Sequence, residues 1–352
     1  MNSRERIKLI YQHREADRVP IIDYPWGGTL RRWHEEGLPK DVDWRDYFDV
    51  DKVATFQPDN TARLEKKIIE ETDRYVIETN NWGATLKRFK ELDSTPEYLD
   101  YSVKTAKDWF QIKKKINTDD DRIPWDLLKN NYDKWKAEGQ WIRAGFWFGF
   151  DVTHSYMMGL TDTLINMMED PDLMCDIFDT YLTASEKMNE RIWNAGYKFD
   201  EIMWYDDMGY KGTSFFSPTV YREVLKPFHT RAVNWAHERG IYAQLHSCGN
   251  IMNLIPDVVE TGVDILHPLE IKAGMDAIKI KKEYGDKLVL RGGINALLCS
   301  DEDKVIPYIE EIVPILKENG GYVFATDHSI PNNVSLQTMK KIIEKAKECG
   351  KY

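Results

Sequence analysis

Hydrophobic and polar positions follow two alternating patterns through the second half of the chain. Short apolar runs rich in β-branched residues are separated by long amphipathic stretches, a pattern typical of parallel strands joined by helices. The runs predict strands at 201–207, 241–247, 264–269, 288–294 and 322–327. Upstream, similar runs predict strands at 19–24, 52–56 and 142–150. Eight strand-helix units in 352 residues predict an α/β fold of the (β/α)8 (TIM) barrel class.

The intervals between the predicted strands carry helix start and stop signals. In the segment 217–240, Ser217 can cap a helix that Pro218 begins and Gly240 ends. The longest interval, 57–140, is predicted to be an insertion between strands 2 and 3 of a single barrel domain spanning 1–352. It contains "RYVIETNNWGATLKRF", whose Asn-Trp-Gly centre predicts a hairpin, followed by two helices.

An open, doubly wound parallel sheet is the alternative architecture. A dinucleotide-binding sheet of that kind would place a Gly-x-Gly-x-x-Gly run directly after a strand. The chain has no such run after any predicted strand. The barrel is therefore the preferred interpretation.

Composition and charge narrow the class of partner. The formal net charge is -11, and no dense Lys/Arg stripe offsets it, which disfavours nucleic acid and anionic membranes. The N-terminus "MNSRERIKLIYQHREADRVP" lacks the apolar stretch of a secretory signal, so we expect a cytoplasmic protein. In a reducing compartment the four scattered cysteines should not form a disulfide framework. A small molecule or another protein is the expected partner, and the oligomeric state stays open, with a homodimer as one option.

Polar side chains collect where the predicted strands end. In a (β/α)8 barrel the active site lies at the carboxyl ends of the strands. Residues i and i+2 of an extended segment project to the same face, so His246 and Cys248 can face one ion. The polar residues at these ends are Asp206 and Asp207 after strand four, His246 and Cys248 after strand five, Glu270 after strand six, and Asp327 and His328 after strand eight.

The pair His246 and Cys248 has two interpretations. Alone, it would more often reflect ordinary packing, because a free cysteine is frequently buried as a small hydrophobic side chain. Glu270 and His328 at neighbouring strand ends shift the balance toward a metal site, since zinc accepts nitrogen, sulfur and oxygen ligands together. Asp327 can replace His328 as the ligand, because adjacent strand residues face opposite ways and the register is uncertain by one.

Two further features bear on the substrate. Asp206 and Asp207 precede "MGYKG", whose glycines allow the backbone to approach a substrate closely. One aspartate could bind substrate or supply a proton. Alternatively, both aspartates could cap the next segment or face solvent. Aromatic residues in "YPWGG" (24–28) and "FWFGF" (146–150) could line a pocket for an aromatic ligand or pack in the core.

The motifs together carry a family likeness. The run "DDMGYKG…SPTVYREVLKPFHTR…LHSCGN…GVDILHPLE…GGIN…TDHSIP" resembles the uroporphyrinogen decarboxylase superfamily. The closer resemblance is to its zinc-dependent corrinoid methyltransferases, which include methylcobalamin:coenzyme M methyltransferases and the first methyltransferase of aryl ether O-demethylase systems. The likeness spans most of the chain and is strongest from about residue 200 onward. It implies a (β/α)8 barrel, in agreement with the strand count.

The resemblance also implies a ligand set. In those methyltransferases a His-x-Cys-Gly motif supplies two zinc ligands, which here are His246 and Cys248, and an acidic ligand downstream matches Glu270. The third strong ligand is normally a Cys in a Gly-Cys-Gly-like turn, whereas "DHSIP" places His328 there. Replacing a thiolate by imidazole leaves the zinc less electron-rich, which favours polarisation of an ether or alcohol oxygen over activation of a thiolate acceptor.

The expected function is therefore zinc-dependent methyl transfer with O-demethylation. A methoxylated compound, for instance an aromatic one, or another small methyl donor would pass its methyl group to the Co(I) corrinoid of a partner protein. Asp206 or Asp207 would protonate the leaving oxygen. The corrinoid protein would dock over the barrel mouth, because no motif in this chain binds cobalamin.

Two other functions remain open at this point. A decarboxylase acting on a polycarboxylate would carry an Arg-Gln-Ala-Gly-Arg segment after the first strand. Here Arg31 and Arg32 fall in a predicted helix, so neither clearly replaces that segment. Asp51 is the one residue that could match a pocket aspartate of the decarboxylase. A non-catalytic, zinc-containing binding barrel would close its metal with four protein ligands, and four candidates are present. An exchangeable metal ligand would distinguish an enzyme from that barrel.

Overall fold

Strands and helices alternate along most of the chain. The computed structural model describes residues 1–91 and 95–352. Within these ranges the strands are β1 (Val53–Phe56), β2 (Ile68–Glu71), β3 (Tyr75–Thr79), β4 (Thr85–Phe89), β5 (Glu97–Asp100), β6 (Trp141–Phe146), β7 (Glu201–Tyr205), β8 (Tyr242–His246), β9 (Ile265–His267), β10 (Val289–Ile294) and β11 (Tyr322–Thr326). The α-helices are α1 (Ser3–Tyr11), α2 (Gly27–Glu35), α3 (Trp44–Tyr47), α4 (Ala106–Lys113), α5 (Trp125–Ala137), α6 (Phe150–Tyr156), α7 (Leu160–Glu169), α8 (Pro171–Asn194), α9 (Pro218–Val220), α10 (Lys226–His237), α11 (Ile255–Glu260), α12 (Ala277–Tyr284), α13 (Glu302–Lys317) and α14 (Leu336–Cys349).

Seven strands form one parallel sheet whose spatial order, β1-β6-β7-β8-β9-β10-β11, follows the chain. Sequential parallel order with helical crossovers is the arrangement of an α/β fold that curls toward a barrel. The register places Tyr205 opposite His246, and His246 opposite His267. Three neighbouring strands therefore end at the same level, and the residues that follow them meet at one rim.

The predicted first strand, 19–24, forms isolated bridges and no regular strand. Ile21 pairs with Phe324 of β11, and its carbonyl accepts a hydrogen bond from the Asp51 amide at 3.1 Å, just before β1. The ladder is interrupted because Pro20 has no N–H and because the Ile21 amide donates to the Asp51 carboxylate at 2.9 Å. This segment still lies between β11 and the start of β1, an arrangement consistent with a (β/α)8 barrel.

Between β1 and β6 lies a second sheet, antiparallel, in the order β2-β3-β4-β5, followed by α4 and α5. The predicted hairpin corresponds to β3 and β4, which pair from Tyr75 opposite Phe89 to Thr79 opposite Thr85. The flanking strands β2 and β5 were not predicted. Their residues are nearly all exposed, so they lack the alternation of buried and exposed positions that reveals a strand.

Several predicted strands end earlier than the pattern indicated, and in two of them a Gly or a Pro is the cause. The strand predicted over 142–150 stops at Phe146, because Gly149, with φ of 95°, turns the chain into α6. The strand predicted over 264–269 stops at His267, because Pro268 cannot donate to the sheet.

The amino end of the sheet is closed by α1 and a buried ion pair. The Glu201 carboxylate accepts hydrogen bonds from Arg143 Nε at 2.5 Å, Trp141 Nε1 at 2.6 Å and Tyr11 Oη at 3.1 Å. All of these side chains are buried. Full hydrogen bonding offsets the desolvation of the two charges. Within the described part of the chain, no helix has the length and apolar character needed to cross a membrane.

Candidate metal centre and substrate pocket

A cavity of about 500 Å³ opens at the carboxyl ends of the parallel strands. Its lower wall is formed by residues that end or follow β7, β8, β9 and β11, as expected for an active site in this fold. Its volume suits a small molecule of one or two rings. The lining residues are Asp23, Tyr24, Trp26, Thr95, Tyr98, Trp147, Asp151, Ser155, Tyr156, Met203, Tyr205, Asp207, His246, Cys248, His267, Pro268, Thr326, His328 and Ser329.

Three potential metal ligands meet at the base of this pocket. One ligand atom each of Asp207, His246 and Cys248 lies within 4.8 Å of the other two. His246 Nε2 is 3.3 Å from Cys248 Sγ and 3.6 Å from Asp207 Oδ1. The Cys248 amide donates to Asp207 Oδ1 at 2.8 Å, which holds the two side chains side by side. Imidazole nitrogen, sulfur and carboxylate oxygen are the donor set that zinc binds.

The protonation of this cluster is set by burial. Burial lowers the pKa of His246 to about 3, so its imidazole is neutral and has a lone pair for a metal. Burial raises the pKa of the Cys248 thiol well above its usual value, and the carboxylates of Asp207 and Glu270 raise it further. Burial also raises the pKa of Asp207 to about 6. A bound cation would reverse the last two effects by favouring the thiolate and the carboxylate.

His267 supports His246 from the next strand and was not identified from the sequence. The Nδ1 atoms of the two rings are 2.8 Å apart, so one ring donates its hydrogen to the other. Burial lowers the pKa of His267 well below its usual value, which keeps that ring neutral too. The available signal was Pro268 directly after it, since a proline ends a central strand and so places His267 at a strand end.

The other sequence-predicted ligands lie beside the cluster and outside the three-residue group. Glu270 Oε2 accepts a hydrogen bond from the Gly249 amide at 2.6 Å, which ties it to the loop that carries Cys248. His328 lines the pocket and stacks on Trp26, with ring centroids 5.9 Å apart. Asp327, the alternative to His328, is fully buried and accepts from the Ala296 amide at 2.8 Å.

The two adjacent aspartates point to different environments. Asp207 lines the pocket. Asp206 is fully buried: its carboxylate pairs with His229 Nε2 at 2.7 Å and accepts from the Asp151 amide at 2.7 Å. Because adjacent residues of an extended chain face opposite ways, only one of the pair can face the cavity. Asp206 holds the first turn of α6, and Asp207 is the one that lines the pocket.

Asp151 is a second pocket carboxyl group that the sequence did not reveal. It receives a hydrogen bond from the Ser155 hydroxyl at 2.9 Å, and His154 Nε2 lies 3.4 Å away. Burial raises the pKa of Asp151 well above its usual value, and Asp207 and Asp206 raise it further. It sits in the first turn of α6, so inspection of strand ends could not find it.

Aromatic side chains form the upper walls. The Trp147 ring lies 5.8 Å from Tyr205 and 5.7 Å from Tyr156, measured between centroids. Tyr24 and Trp26 come from the "YPWGG" segment, so that segment and Trp147 of "FWFGF" do face the cavity. The phenylalanines of "FWFGF" are buried in the core. Both interpretations of the aromatic segments thus apply, each to different residues.

The residues that could have suited a decarboxylase lie away from the pocket. Asp51 precedes β1, at the opposite end of the sheet, and binds Arg6 and Arg18. Arg31 and Arg32 lie on α2, and neither lines the cavity. No residue of the described lining is Lys or Arg. A polycarboxylate would have no cationic side chain to bind there.

Comparison with protein families identifies the chain. The family model for uroporphyrinogen decarboxylase (URO-D) matches residues 77–349. The chain belongs to the uroporphyrinogen decarboxylase family. This confirms the resemblance found in the motifs after residue 200. No curated protein matches the chain.

Two solved structures resemble this URO-D family member at low sequence identity. A methyltransferase from Methanosarcina mazei is 16% identical, covers 99% of each chain and superposes with a TM-score of 0.64. A B12-independent methionine synthase from Shewanella sp. W3-18-1, in complex with selenomethionine, is 10% identical over 95% of each chain, with a TM-score of 0.49. At 16% identity the first of these shows a shared fold.

Proposed function

We propose that this URO-D family protein is a zinc-dependent methyltransferase that moves a methyl group from a methoxylated compound to the Co(I) corrinoid of a partner protein. The observation that carries the proposal is the meeting of Asp207, His246 and Cys248 at the base of an aromatic pocket. The methyltransferase that shares the fold over 99% of both chains is consistent with it.

The residues present fit a zinc ion. His246 and Cys248 would hold it, and the remaining ligands would come from Asp207, Glu270 and His328, all of which lie at the same rim. The neutral imidazole of His246 and the mixed N, S and O donors suit zinc better than magnesium or calcium, which prefer oxygen alone. When bound, zinc supplies Lewis acidity that lowers the pKa of the departing alcohol or phenol.

The chain's own residues would orient the donor and exclude water. The aromatic walls formed by Trp147, Tyr156 and Tyr205 would hold the body of the donor, with its methoxy group directed at the pocket base. The C–O bond breaks and a Co–C bond forms with the electron pair of Co(I). The oxygen keeps the electron pair of the broken bond and takes up a proton, so the products are methyl-corrinoid and an alcohol or phenol.

Asp207 can serve either as a metal ligand or as the source of that proton. We propose Asp207 over Asp206 for the second role, because the Asp206 carboxylate is bound by His229 and by the Asp151 amide. The variant Asp207→Asn separates the two roles. Loss of bound zinc would assign Asp207 as a ligand, whereas retained zinc with slow methyl transfer would assign it as the proton donor.

The absence of Lys and Arg from the described lining favours the donor side of methyl transfer. An acceptor such as coenzyme M carries a sulfonate, and a porphyrinogen carries several carboxylates; both need cationic partners. A neutral methyl ether needs none. The same feature therefore argues against the coenzyme M reaction and against polycarboxylate decarboxylation.

The first experiment measures metal and methyl transfer together. Protein purified without chelator should contain about one zinc per chain, and Cys248→Ala should lose it. The zinc protein should then convert Co(I) corrinoid protein to methyl-corrinoid, followed by its absorption spectrum, with a methoxyaromatic, methanol or a methyl thioether as donor. Bound zinc with no methyl transfer from any donor would favour a non-catalytic binding barrel, and metal-free folded protein would refute the zinc proposal.

A further inference from the structure

The charge of the pocket wall is one-sided. Among its described lining residues are three carboxyl groups, Asp23, Asp151 and Asp207, and no Lys or Arg. A zinc ion held by His246 and Cys248 would balance the Cys248 thiolate and one carboxylate. Carboxyl groups would remain on the wall without a cationic partner among the lining side chains. A bound ammonium group beside one of them would favour its carboxylate form, so the wall suits a positive ligand.

The nearest cationic side chains lie outside the lining. Lys272 Nζ lies 3.6 Å from Glu270 Oε1. Arg143 pairs with Glu201 below the pocket. Arg291 is fully buried outside the lining, 5.3 Å from the Tyr24 ring centroid. Its Nη2 donates to the Ile22 carbonyl at 3.2 Å, and its Nη1 has no hydrogen-bond partner among the described residues. None of these three side chains is among the residues that line the cavity.

The aromatic lining adds to this preference. Six of the lining residues are tyrosine or tryptophan: Tyr24, Trp26, Tyr98, Trp147, Tyr156 and Tyr205. The faces of aromatic rings carry negative partial charge and attract ammonium groups, most strongly where water is excluded. Aromatic rings together with a carboxylate form the arrangement by which proteins bind organic ammonium ions.

Asp151 is the carboxyl group best placed to meet such a ligand. Asp23 is occupied, because it accepts hydrogen bonds from the amides of Thr326 and Tyr24 and from the Thr326 hydroxyl. Among the described contacts, the Asp151 carboxyl has one hydrogen bond, from the Ser155 hydroxyl. The adjacent His154 does not supply a charge, since burial lowers its pKa to about 4.

From this arrangement we infer that the pocket selects methyl donors that carry an ammonium group, with Asp151 as the ammonium's partner, and disfavours donors that carry a carboxylate. As a statement about methyl donors, the inference rests on the proposed function. As a statement about charge, it can be tested by binding alone.

Binding of three matched compounds tests the inference. 4-Methoxybenzylamine, 4-methoxybenzyl alcohol and 4-methoxybenzoate share a ring and a methoxy group and differ in charge. Calorimetric titration of the full-length protein, with zinc and after its removal, should show the amine bound about tenfold more tightly than the alcohol and the benzoate more weakly than the alcohol. Equal affinity for the three, or a preference for the benzoate, would overturn the inference.

The variant Asp151→Asn identifies the partner. It keeps the acceptor for Ser155 and removes the charge, so the amine should lose its advantage while the alcohol binds as before. Asp133→Asn, an exposed change on α5, is the matched control and should leave the advantage intact. An unchanged advantage in Asp151→Asn would overturn the role of Asp151; if that variant does not fold, the order of the three compounds on the wild type still decides the charge preference. Metal content and corrinoid methylation, measured separately, report on the proposed function.

Discussion

Replacing His267 by phenylalanine should weaken zinc binding without removing any proposed ligand. His246 presents Nε2 to Cys248 at 3.3 Å, and its Nδ1 lies 2.8 Å from His267 Nδ1. For Nε2 to bind a metal, the His246 hydrogen must sit on Nδ1, and His267 is then its acceptor. The variant His267→Phe keeps a ring in the same place and removes that acceptor.

The magnitude follows from the role of such a hydrogen bond. It fixes the tautomer and the orientation of a metal-binding imidazole, and its loss typically costs about 10- to 100-fold in metal affinity. That range corresponds to about 1.4 to 2.8 kcal/mol. Both rings are neutral and partly buried, so the loss of the partner at His246 Nδ1 is compensated only in part.

Competition for zinc against a chromogenic chelator measures the effect on folded, metal-free protein. His267→Gln restores an acceptor and should recover part of the affinity. His237→Gln is the control, because His237 is partly exposed and binds Asp264 at 2.8 Å away from the pocket. If folded His267→Phe bound zinc within about twofold of the wild type, His267 would not be the acceptor for a metal-binding His246.

Three further predictions concern stability and pH. Glu201→Gln should lower the free energy of unfolding by about 3 to 5 kcal/mol, because it leaves a buried arginine without its counter-ion; denaturant titration would show this, and a loss below about 1 kcal/mol would contradict it. Gly149→Ala should reduce thermal stability and disturb the pocket, because φ of 95° strains alanine and because the added Cβ would clash with Asp206. The control is Gly196→Ala: Gly196 is exposed, has φ of 98° and has no neighbour in contact, so this variant reports the backbone strain alone. A hydrogen bond from Arg6 lowers the pKa of Asp17 to about 2. The ionised Asp17 therefore stabilises the fold above about pH 4, and this stabilisation is lost as the pH falls toward 2. The free energy of unfolding of Asp17→Asn should depend less on pH across that window than the free energy of unfolding of the wild type does.

Local pattern was sufficient to find most strands of the parallel sheet. The runs predicted at 201–207, 241–247, 288–294 and 322–327 contain β7, β8, β10 and β11, because buried parallel strands are continuous apolar segments. It failed where the chain departs from that pattern. The exposed strands β2 and β5 carry no burial signal, and the segment at 19–24 is held partly by the Asp51 carboxylate.

The candidate site likewise combines residues that the sequence predicted with features that only the structure revealed. Spacing alone placed His246 and Cys248 on one face of a strand end, and the motif around them indicated the family. Spacing could not show which of two adjacent aspartates faces the cavity, because a one-residue change of register exchanges their directions. The structure assigns Asp207 to the pocket and Asp206 to His229.

The sequence by itself determined the parallel α/β fold, the strand ends at which polar residues collect and the His-x-Cys pair, because each depends on residues close together in the chain. Only the tertiary structure decided that Asp151 faces the same cavity as Asp207, that His267 supports His246 and that no cationic side chain joins the described lining. These features depend on which side chains are brought together by strands and loops that are far apart in the sequence. Charge, burial and hydrogen bonding act between side chains that are close in space.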